Sequence, residues 1–549
     1  MSAGVRRPWG RPSWRRCLAS IAGAAVLLSP AASFAQSATS HGEVVTGVTA
    51  APIQSVEIER QDVFDVAVEL AWYQRLMNAL HVKTKDNVIR RELLLQPGEP
   101  YDSARAAETA RNLRKLLVFR DVRVDSSSSD SGLRARVVTG DAFTLKPFLS
   151  YKSAGTQVTY GIGIVEQNLF GQLINVEAKF KHEPDRDTLR FAANAPRIIA
   201  NKVGLQASYS KLTDGEQSTG SVGMPFFSLA SRSLAQASGE KIAGRVLQFR
   251  EGKPDPSDSL QRRFAIGRAQ FGRALRAGDA GYLRLQLEGQ VRRDDFMPEG
   301  DPTHFPHSVT VATGLFAEAN TAEFVVTRNY RNIGPEEDVD LSTKLRAGAW
   351  VAPKQWGYER GGVGPSLEFL TGKSFGGGFT FLNARASSLF TSAGLDSGSF
   401  TVTGTTVVQP TPRQSGVLFI GGGGQRNPYP GEEFDLGLVR GPRAFPQHAF
   451  TGDRFVFGSA EYRYIAIPDI AQLVAIGVAG FVDYGGAWYH NSPRRDGTDA
   501  GMGLRIGSSR FPSINGSARV DLAYRFANDV EKGGWVLVVG SGFVFEKGK

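Results

Sequence analysis

The chain has 549 residues, a formal net charge of +10 and a single cysteine, Cys17. This length is enough for two domains, or for one large barrel with a smaller appendage. The excess of positive charge is mild for such a long chain. No basic tract of the kind that contacts nucleic acids occurs, so a nucleic-acid-binding function is not expected.

Residues 1–35 have the features of a secretory signal sequence. Five arginines, the last of them Arg16, precede a short apolar core from Leu18 to Leu28, and Ser33-Phe34-Ala35 forms a small-x-small cleavage site. We predict cleavage after Ala35, which lowers the net charge to +5 and removes Cys17. The mature chain then has no cysteine, which excludes disulfide bonds and thiol chemistry.

Residues 36–54, rich in Ser, Thr, Gly and Ala, are predicted to be a flexible N-terminus. Residues 55–141 have the pattern of a small α/β domain with the order strand, helix, helix, strand, strand. Asp102 or Ser103 is expected to cap the longer helix. A further helical segment is predicted from Val66 to His81, between the first strand and these helices.

Residues 142–549 are dominated by alternation of apolar and polar residues. In the clearest run, Tyr282–Arg292, leucines and valines on one face alternate with charged and amide side chains on the other. Glycine, with 63 residues, exceeds its usual share of about 7%, and no later stretch reaches the roughly 20 apolar residues of a membrane helix.

A water-soluble β-sandwich would give the same period of two, but the signal sequence and the absence of cysteine favour a membrane protein. The sequence therefore predicts a mainly β protein, a transmembrane antiparallel β-barrel whose strands face lipid on one side and a polar lumen on the other. Residues 143–545 can supply about sixteen tilted strands.

A loop arginine and two acidic residues stand out near the end of the barrel region. Arg440 and Gly441 lie in a Gly/Pro-rich loop, and Glu461 and Asp483 lie on the next two predicted strands. If the more apolar faces point outwards, both acids point into the barrel. A loop folded back inside could place Arg440 between them, because a guanidinium can bind a carboxylate through two hydrogen bonds. The other interpretation is an exposed loop arginine and two scattered acids.

The sequence contains no motif of a known catalytic or metal site. Gly372-Lys373-Ser374 lacks the first glycine of a phosphate-binding loop, and His304 and His307, with Asp301, lack further ligands at metal-site spacing. We therefore predict no enzymatic activity, no metal and no cofactor. Glu461 and Asp483 are expected to be partners of Arg440 rather than an acid–base pair.

These motifs occur in the same order in a known family. Val439-Arg440-Gly441, Gly452-Asp453-Arg454, Glu461-Tyr462-Arg463 and Phe481-Val482-Asp483-Tyr484-Gly485 resemble the C-terminal barrel of the BamA/TamA family, the outer-membrane assembly and translocation proteins of the bacterial surface antigen superfamily. The resemblance implies that the arginine of the sixth loop, here Arg440, contacts Glu461 and Asp483. The family has an aromatic residue after Arg-Gly, whereas this chain has Pro442 there and Phe445 further on.

Residues 55–141 resemble the last POTRA domain of that family, for example in Gly98-Glu99-Pro100-Tyr101-Asp102. The resemblance implies a Gram-negative outer-membrane barrel with one periplasmic POTRA domain that assembles outer-membrane proteins or translocates polypeptides. The POTRA domain would receive an unfolded or secreted polypeptide as an added strand along its Val118–Val124 edge, or would merely be a spacer. Lipids and lipopolysaccharide of the outer membrane would surround the barrel.

The first and last barrel strands, near Phe143–Lys152 and Trp535–Phe545, are expected to meet at a weak seam, which an incoming strand could open. Gly540, Phe543 and Phe545 resemble the C-terminal signal by which outer-membrane proteins are recognised for assembly. Two other functions stay open: a passive pore or surface antigen without insertase activity, and a secretion platform that binds one dedicated partner.

Overall fold

The computed structural model describes residues 52–67, 69–129, 132–154, 157–253, 256–298, 309–438, 440–513 and 516–545. These residues belong to one compact unit, Ala50–Lys549. The predictions of a signal sequence and of cleavage at Ala35 lie outside the described residues, as do those for His304 and His307. The predicted flexible N-terminus, residues 36–54, lies outside them up to residue 51, whereas Ile53 and Gln54 belong to a β-strand.

The N-terminal domain is a three-stranded sheet covered by helices. Its strands are β1 (Ile53–Gln61), β2 (Phe119–Ser129) and β3 (Gly132–Asp141), and its helices are α1 (Trp72–Leu80), α2 (Asp86–Arg90) and α3 (Ser103–Lys115). β3 lies in the middle, parallel to β1 and antiparallel to β2. The Asp102 carboxylate accepts hydrogen bonds from the backbone of Ala104 and Arg105, which confirms it as the cap of α3.

None of the helices in the described ranges is long and apolar enough to cross a lipid bilayer.

The remaining strands follow a three-residue connection that begins after Asp141. They are β4 (Leu145–Ala154), β5 (Gln157–Leu169), β6 (Ile174–Glu183), β7 (Arg186–Ile199), β8 (Val203–Leu212), β9 (Gly215–Met224), β10 (Ser233–Gln248), β11 (Asp258–Gly278), β12 (Gly281–Pro298), β13 (Val309–Thr321), β14 (Phe324–Arg328), β15 (Glu336–Asp340), β16 (Thr343–Ala352), β17 (Gly362–Phe375), β18 (Gly378–Thr391), β19 (Gly394–Thr411), β20 (Gln414–Arg426), β21 (Phe434–Leu436), β22 (Phe450–Gly452), β23 (Arg454–Ile470), β24 (Val474–Trp488), β25 (Gly497–Ser508), β26 (Ala518–Arg525) and β27 (Gly534–Ser541).

Twenty of these strands form a closed antiparallel barrel, which confirms the predicted fold class. The predicted number of about sixteen was wrong. Strands such as β9, with the sequence Gly-Glu-Gln-Ser-Thr-Gly-Ser-Val-Gly-Met, have almost no apolar residues to mark their period. The pairs β14–β15 and β21–β22 form separate two-stranded sheets.

Alternation sets which side chains face the lumen. On β12, Arg284, Gln286 and Glu288 are buried inside, whereas Leu285 and Leu287 are exposed outside, as the sequence predicts. Because an apolar exterior is stable only against lipid, this is the architecture of a transmembrane barrel. The lumen is less polar than expected, because it contains an apolar core that includes Phe379, Phe419, Phe457, Phe445 and Phe545.

The N-terminal domain contacts the barrel at one end, which we call the proximal end. There Arg91 donates a hydrogen bond of 3.1 Å to the carbonyl of Gln172, in the turn between β5 and β6. Arg114 of α3 donates two hydrogen bonds, of 2.8 and 2.7 Å, to Asp338 of β15. The β14–β15 hairpin, which connects β13 to β16, is therefore fixed to α3.

Candidate functional site

The connection between β20 and β23 enters the barrel from the distal end. It spans residues 427–453 and contains the short β21–β22 sheet. Its turn is tight, because the Gly437 amide donates a hydrogen bond of 2.8 Å to the Arg440 carbonyl. Gly441 has φ +130°, and a Cβ there would lie 2.9 Å from the Gly437 nitrogen and from Leu436 Cβ. Only glycine therefore fits at 441 without displacing the turn.

Arg443, three residues beyond the predicted arginine, is the side chain that reaches the strand acids. Its Nε and Nη2 donate to both oxygens of Asp483, at 2.7 and 3.2 Å. Its Nη1 donates to Glu461 at 3.1 Å and to Asp521 at 2.9 Å. Its guanidinium lies 3.6 Å from the centre of the Phe481 ring. One loop arginine thus connects β23, β24 and β26.

Further arginines complete the neutralisation of these acids. Arg505 donates to Glu461 at 2.9 and 2.8 Å and also binds Asp521, and Arg463 donates to Glu461 at 2.6 Å. Arg519 lies 3.4 Å from Asp521. We call the following side chains the luminal cluster: Arg443, Glu461, Arg463, Asp483, Asp499, Arg505, Arg519 and Asp521. All are less than 5% exposed, so the ion pairs among them are shielded from bulk water.

Asp499 and Phe445 position the loop next to Arg443. The Ala444 amide donates a hydrogen bond of 2.9 Å to Asp499, a residue of β25. The buried Phe445 ring lies directly over Gly497, where a Cβ would come within 2.3 Å of it. The bare glycine therefore allows the ring to approach the barrel wall.

The predicted pairing of Arg440 with Glu461 and Asp483 is therefore corrected. Among the described residues no acidic side chain forms an ion pair with Arg440, and burial lowers its pKa. In Arg443-Ala444-Phe445 an aromatic residue lies two positions after the arginine. In Arg440-Gly441-Pro442 that position is a proline. The turn at Gly437 and Gly441 points Arg440 away and delivers Arg443 instead.

The same loop also contacts the first strands of the barrel, on the other side of β27. His448 binds Asp435 of the loop at 2.6 Å and Asp185, in the turn between β6 and β7, at 2.8 Å. Burial alone would lower the pKa of His448, but its hydrogen bonds to these two carboxylates raise it to about 9. The backbone amide of Gln447 donates a hydrogen bond of 2.7 Å to the side-chain oxygen of Gln157, the first residue of β5. The loop therefore joins β23–β26 to the first strands of the barrel.

The first and last strands meet where this loop crosses. β4 and β27 share one ladder pair among the described residues, Val539 with Ser153. The neighbouring ladders are much longer: β26 and β27 pair over eight residues, and β4 and β5 over ten. Since most described backbone groups on the facing edges of β4 and β27 have no ladder partner across this junction, we call it the seam.

β27 ends at Ser541, earlier than the predicted Phe545. Gly542 has φ +63°, and Phe543 and Phe545 then turn into the lumen instead of continuing the strand. Phe545 stacks on Phe419 with ring centres 4.2 Å apart. Gly540 stays on β27. The three residues of the predicted C-terminal signal therefore do not lie on one strand.

The β14–β15 hairpin fills the proximal opening. The Tyr330 ring packs against Phe379 and Phe543, and the Tyr330 carbonyl accepts a hydrogen bond of 2.9 Å from Arg463. Ile333 packs with Ile465 of β23. Hairpin, loop and C-terminal segment therefore pack together inside the barrel. In the described part of the chain no group of acidic, His and Cys side chains is arranged to hold a metal.

With this geometry established, the chain can be compared with known proteins. No protein-family model matches it, and no curated protein matches it. Solved structures do match: CdiB from Escherichia coli, at 9% identity and a TM-score of 0.46, covers 92% of this chain and 93% of its own. CdiB from Acinetobacter baumannii has 11% identity and a TM-score of 0.41, covering 89% and 73%. BamA from Haemophilus ducreyi, in a form lacking POTRA domains 1–3, has 12% identity and a TM-score of 0.36, covering 89% and 84%.

The chain is similar to CdiB and BamA. These identities and TM-scores are too low to assign a function, so the function of the barrel has to be inferred from its own residues. Five of the eight side chains of the luminal cluster lie outside the sequence motifs, although a signal was present. Arg519 and Asp521 fall on the polar face of the last clear alternating run, and the same count on β25 places Asp499 and Arg505 inside.

Proposed function

We propose that this protein is an outer-membrane barrel that inserts or translocates polypeptides through the β4–β27 seam. The observation that carries the proposal is that the described residues of β4 and β27 share one ladder pair, in a barrel whose neighbouring ladders are long. Unpaired backbone groups are costly in lipid, and an incoming strand could satisfy them by pairing with β4 or β27. Lipids and lipopolysaccharide would surround the barrel.

We place the proximal end in the periplasm and infer that the N-terminal domain acts there as a POTRA domain. β2 lies at the edge of its sheet, because β3 occupies the middle, and its exposed backbone would accept an unfolded or secreted polypeptide as an added strand. The hairpin, loop and C-terminal segment packed inside the barrel argue against a wide passive pore. We also propose that there is no enzymatic activity, since arginines neutralise Glu461 and Asp483.

A reversible crosslink across the seam tests this function. Ser153 and Val539 are ladder partners, and antiparallel partners are about 4.5–5.5 Å apart at Cα, which suits a disulfide. The mature chain has no other cysteine, so Ser153→Cys/Val539→Cys would form one defined bridge. The matched control is Leu522→Cys/Leu537→Cys, which joins ladder partners on β26 and β27.

The oxidised seam pair should reduce the amounts of client polypeptides in the outer membrane and in the medium, measured by quantitative mass spectrometry of both fractions. Loss from the outer membrane alone would indicate insertion, and loss from the medium alone would indicate secretion. A reductant should restore both, and the control pair should behave as wild type. Wild-type amounts in both fractions with a fully oxidised seam would contradict the proposal.

A further inference from the structure

Helix α1 carries an apolar stripe that no described residue covers. Trp72, Leu76 and Leu80 are 71%, 49% and 60% exposed. They lie four residues apart, so their side chains line one face of the helix. Val66 and Val82, on either side of α1, are also exposed. Water-soluble surfaces seldom hold so many large apolar side chains close together without a partner.

The opposite face of α1 is fixed, so the helix cannot turn its stripe inwards. Asn78 forms hydrogen bonds of 3.0 Å with both the amide and the carbonyl of Phe64. Tyr73 donates a hydrogen bond of 2.9 Å to the carbonyl of Ala471, and Gln74 contacts the side chain of Gln472 at 3.3 Å. α1 is therefore held against the proximal turn between β23 and β24.

That turn lies where the barrel leaves the lipid. Ile467 and Ile470, at the same end of β23, are exposed on the outer surface of the barrel, which faces the acyl chains. A helix attached to this turn lies at the depth of the lipid headgroups, where tryptophan is favoured. α1 has no acidic residue, and its one cation, Arg75, is exposed beside the stripe.

We propose that α1 is an interfacial helix whose Trp72, Leu76 and Leu80 side chains enter the proximal leaflet of the membrane beside β23 and β24. The partner is a phospholipid surface, because the stripe continues the outer apolar surface of the barrel. Amphipathic helices of this kind bury their apolar face about 5–10 Å into the headgroup region. Three strand spacings separate β24 from β27, so α1 anchors the N-terminal domain within about 15–20 Å of the seam.

Depth-dependent quenching tests the proposal on the full mature protein in vesicles of phosphatidylethanolamine and phosphatidylglycerol. A nitrobenzoxadiazole label is attached at Leu76→Cys or, as the matched control, at Ala107→Cys, an exposed position on α3. We expect nitroxide-labelled phospholipids to quench the label at 76 about threefold more than the label at 107, and aqueous iodide to show the reverse order. A label at 76 that iodide quenches as strongly as at 107 would place the stripe in water and refute the proposal. Shielding from both quenchers would indicate a covering protein and would refute it equally.

A second set of variants separates the stripe from the anchoring contacts. With the label on Ala79→Cys, which lies on the same exposed face, Leu76→Gln/Leu80→Gln should reduce lipid quenching to the value at 107. Residue 75 is exposed, and arginine and glutamine are both polar, so Arg75→Gln should leave lipid quenching unchanged. Unaltered heat-modifiability on gels would show that the barrel still folds in each variant. Lipid quenching that survives the double substitution would mean that the stripe does not hold the helix in the membrane.

Discussion

Arg443→Ala should destabilise the barrel strongly, whereas Arg440→Ala should have little effect. Without Arg443, Asp483 keeps the hydrogen bond of 2.7 Å from the Ser459 hydroxyl, but it forms no ion pair with any other described residue. Glu461 retains Arg463 and Arg505, so the loss falls mainly on Asp483. Leaving one buried charge without its partner costs about 3–5 kcal/mol. Substitution of a side chain without such contacts, as at Arg440, changes stability by about 0.5 kcal/mol.

Two further variants show whether charge or packing carries this loss. Asp483→Asn in the Arg443→Ala background removes the uncompensated charge and should recover a large part of the lost stability. Arg443→Lys keeps the charge, but it cannot form the two parallel hydrogen bonds to Asp483, so an intermediate stability is expected.

The measurement is urea unfolding of the purified protein in detergent, followed by the mobility shift of unboiled samples on gels. The free energies of unfolding of the wild type, the two arginine variants and the double variant form the comparison. Equal losses for Arg440→Ala and Arg443→Ala would refute the assignment of Arg443. Absence of any recovery on adding Asp483→Asn would refute the role of an uncompensated charge.

Three other predictions follow from the same structure. Folding raises the pKa of His448 from 6.5 to about 9. The contribution of His448 to the stability of the folded protein should therefore be complete below about pH 6.5 and be lost as the pH rises through about 9. His448→Gln should flatten the dependence of the unfolding midpoint on pH. Replacing the Phe324–Asp340 hairpin by a short Gly-Ser turn should raise ion conductance in planar bilayers. Asp338→Asn, which removes only the ion pair to α3, should raise the conductance much less. Equal conductance of these two variants would mean that the hairpin does not close the opening. Gly497→Ala should cost about 1–3 kcal/mol because its Cβ would meet the Phe445 ring, whereas Gly458→Ala, whose Cβ meets nothing closer than 3.7 Å, should cost less in the same urea titration.

The inward positions of Glu461 and Asp483 could be predicted from sequence, because a period of two fixes the direction of every side chain on a strand once one face is apolar. The same reasoning holds for β12. It fails for β9, whose polar sequence has no apolar face to count from. The extra strands of this kind explain why the predicted number was too low.

The choice of Arg443 over Arg440 could not be predicted, because it depends on the path of a loop rather than on a repeating pattern. The left-handed turn at Gly437 and Gly441 sets which residue reaches Asp483, and turn geometry of this kind is set by tertiary packing. The inward path of Phe543 and Phe545 likewise follows from the left-handed Gly542 and from an aromatic core drawn from distant strands. Sequence showed only a slip in the alternation near Gly542.

Arg463 joins three elements that would have to move if the seam opened. Its guanidinium binds Glu461 of the luminal cluster and the Tyr330 carbonyl of the β14–β15 hairpin, and it lies 3.9 Å from the centre of the Phe543 ring. Phe543 lies two residues after the end of β27, and Asp338 binds the hairpin to α3. Displacement of β27 therefore disturbs the same side chain as displacement of the hairpin, and contacting residues are those whose energies depend on one another. The contacts of Arg463 therefore connect the hairpin, and through Asp338 the N-terminal domain, to the segment that follows β27.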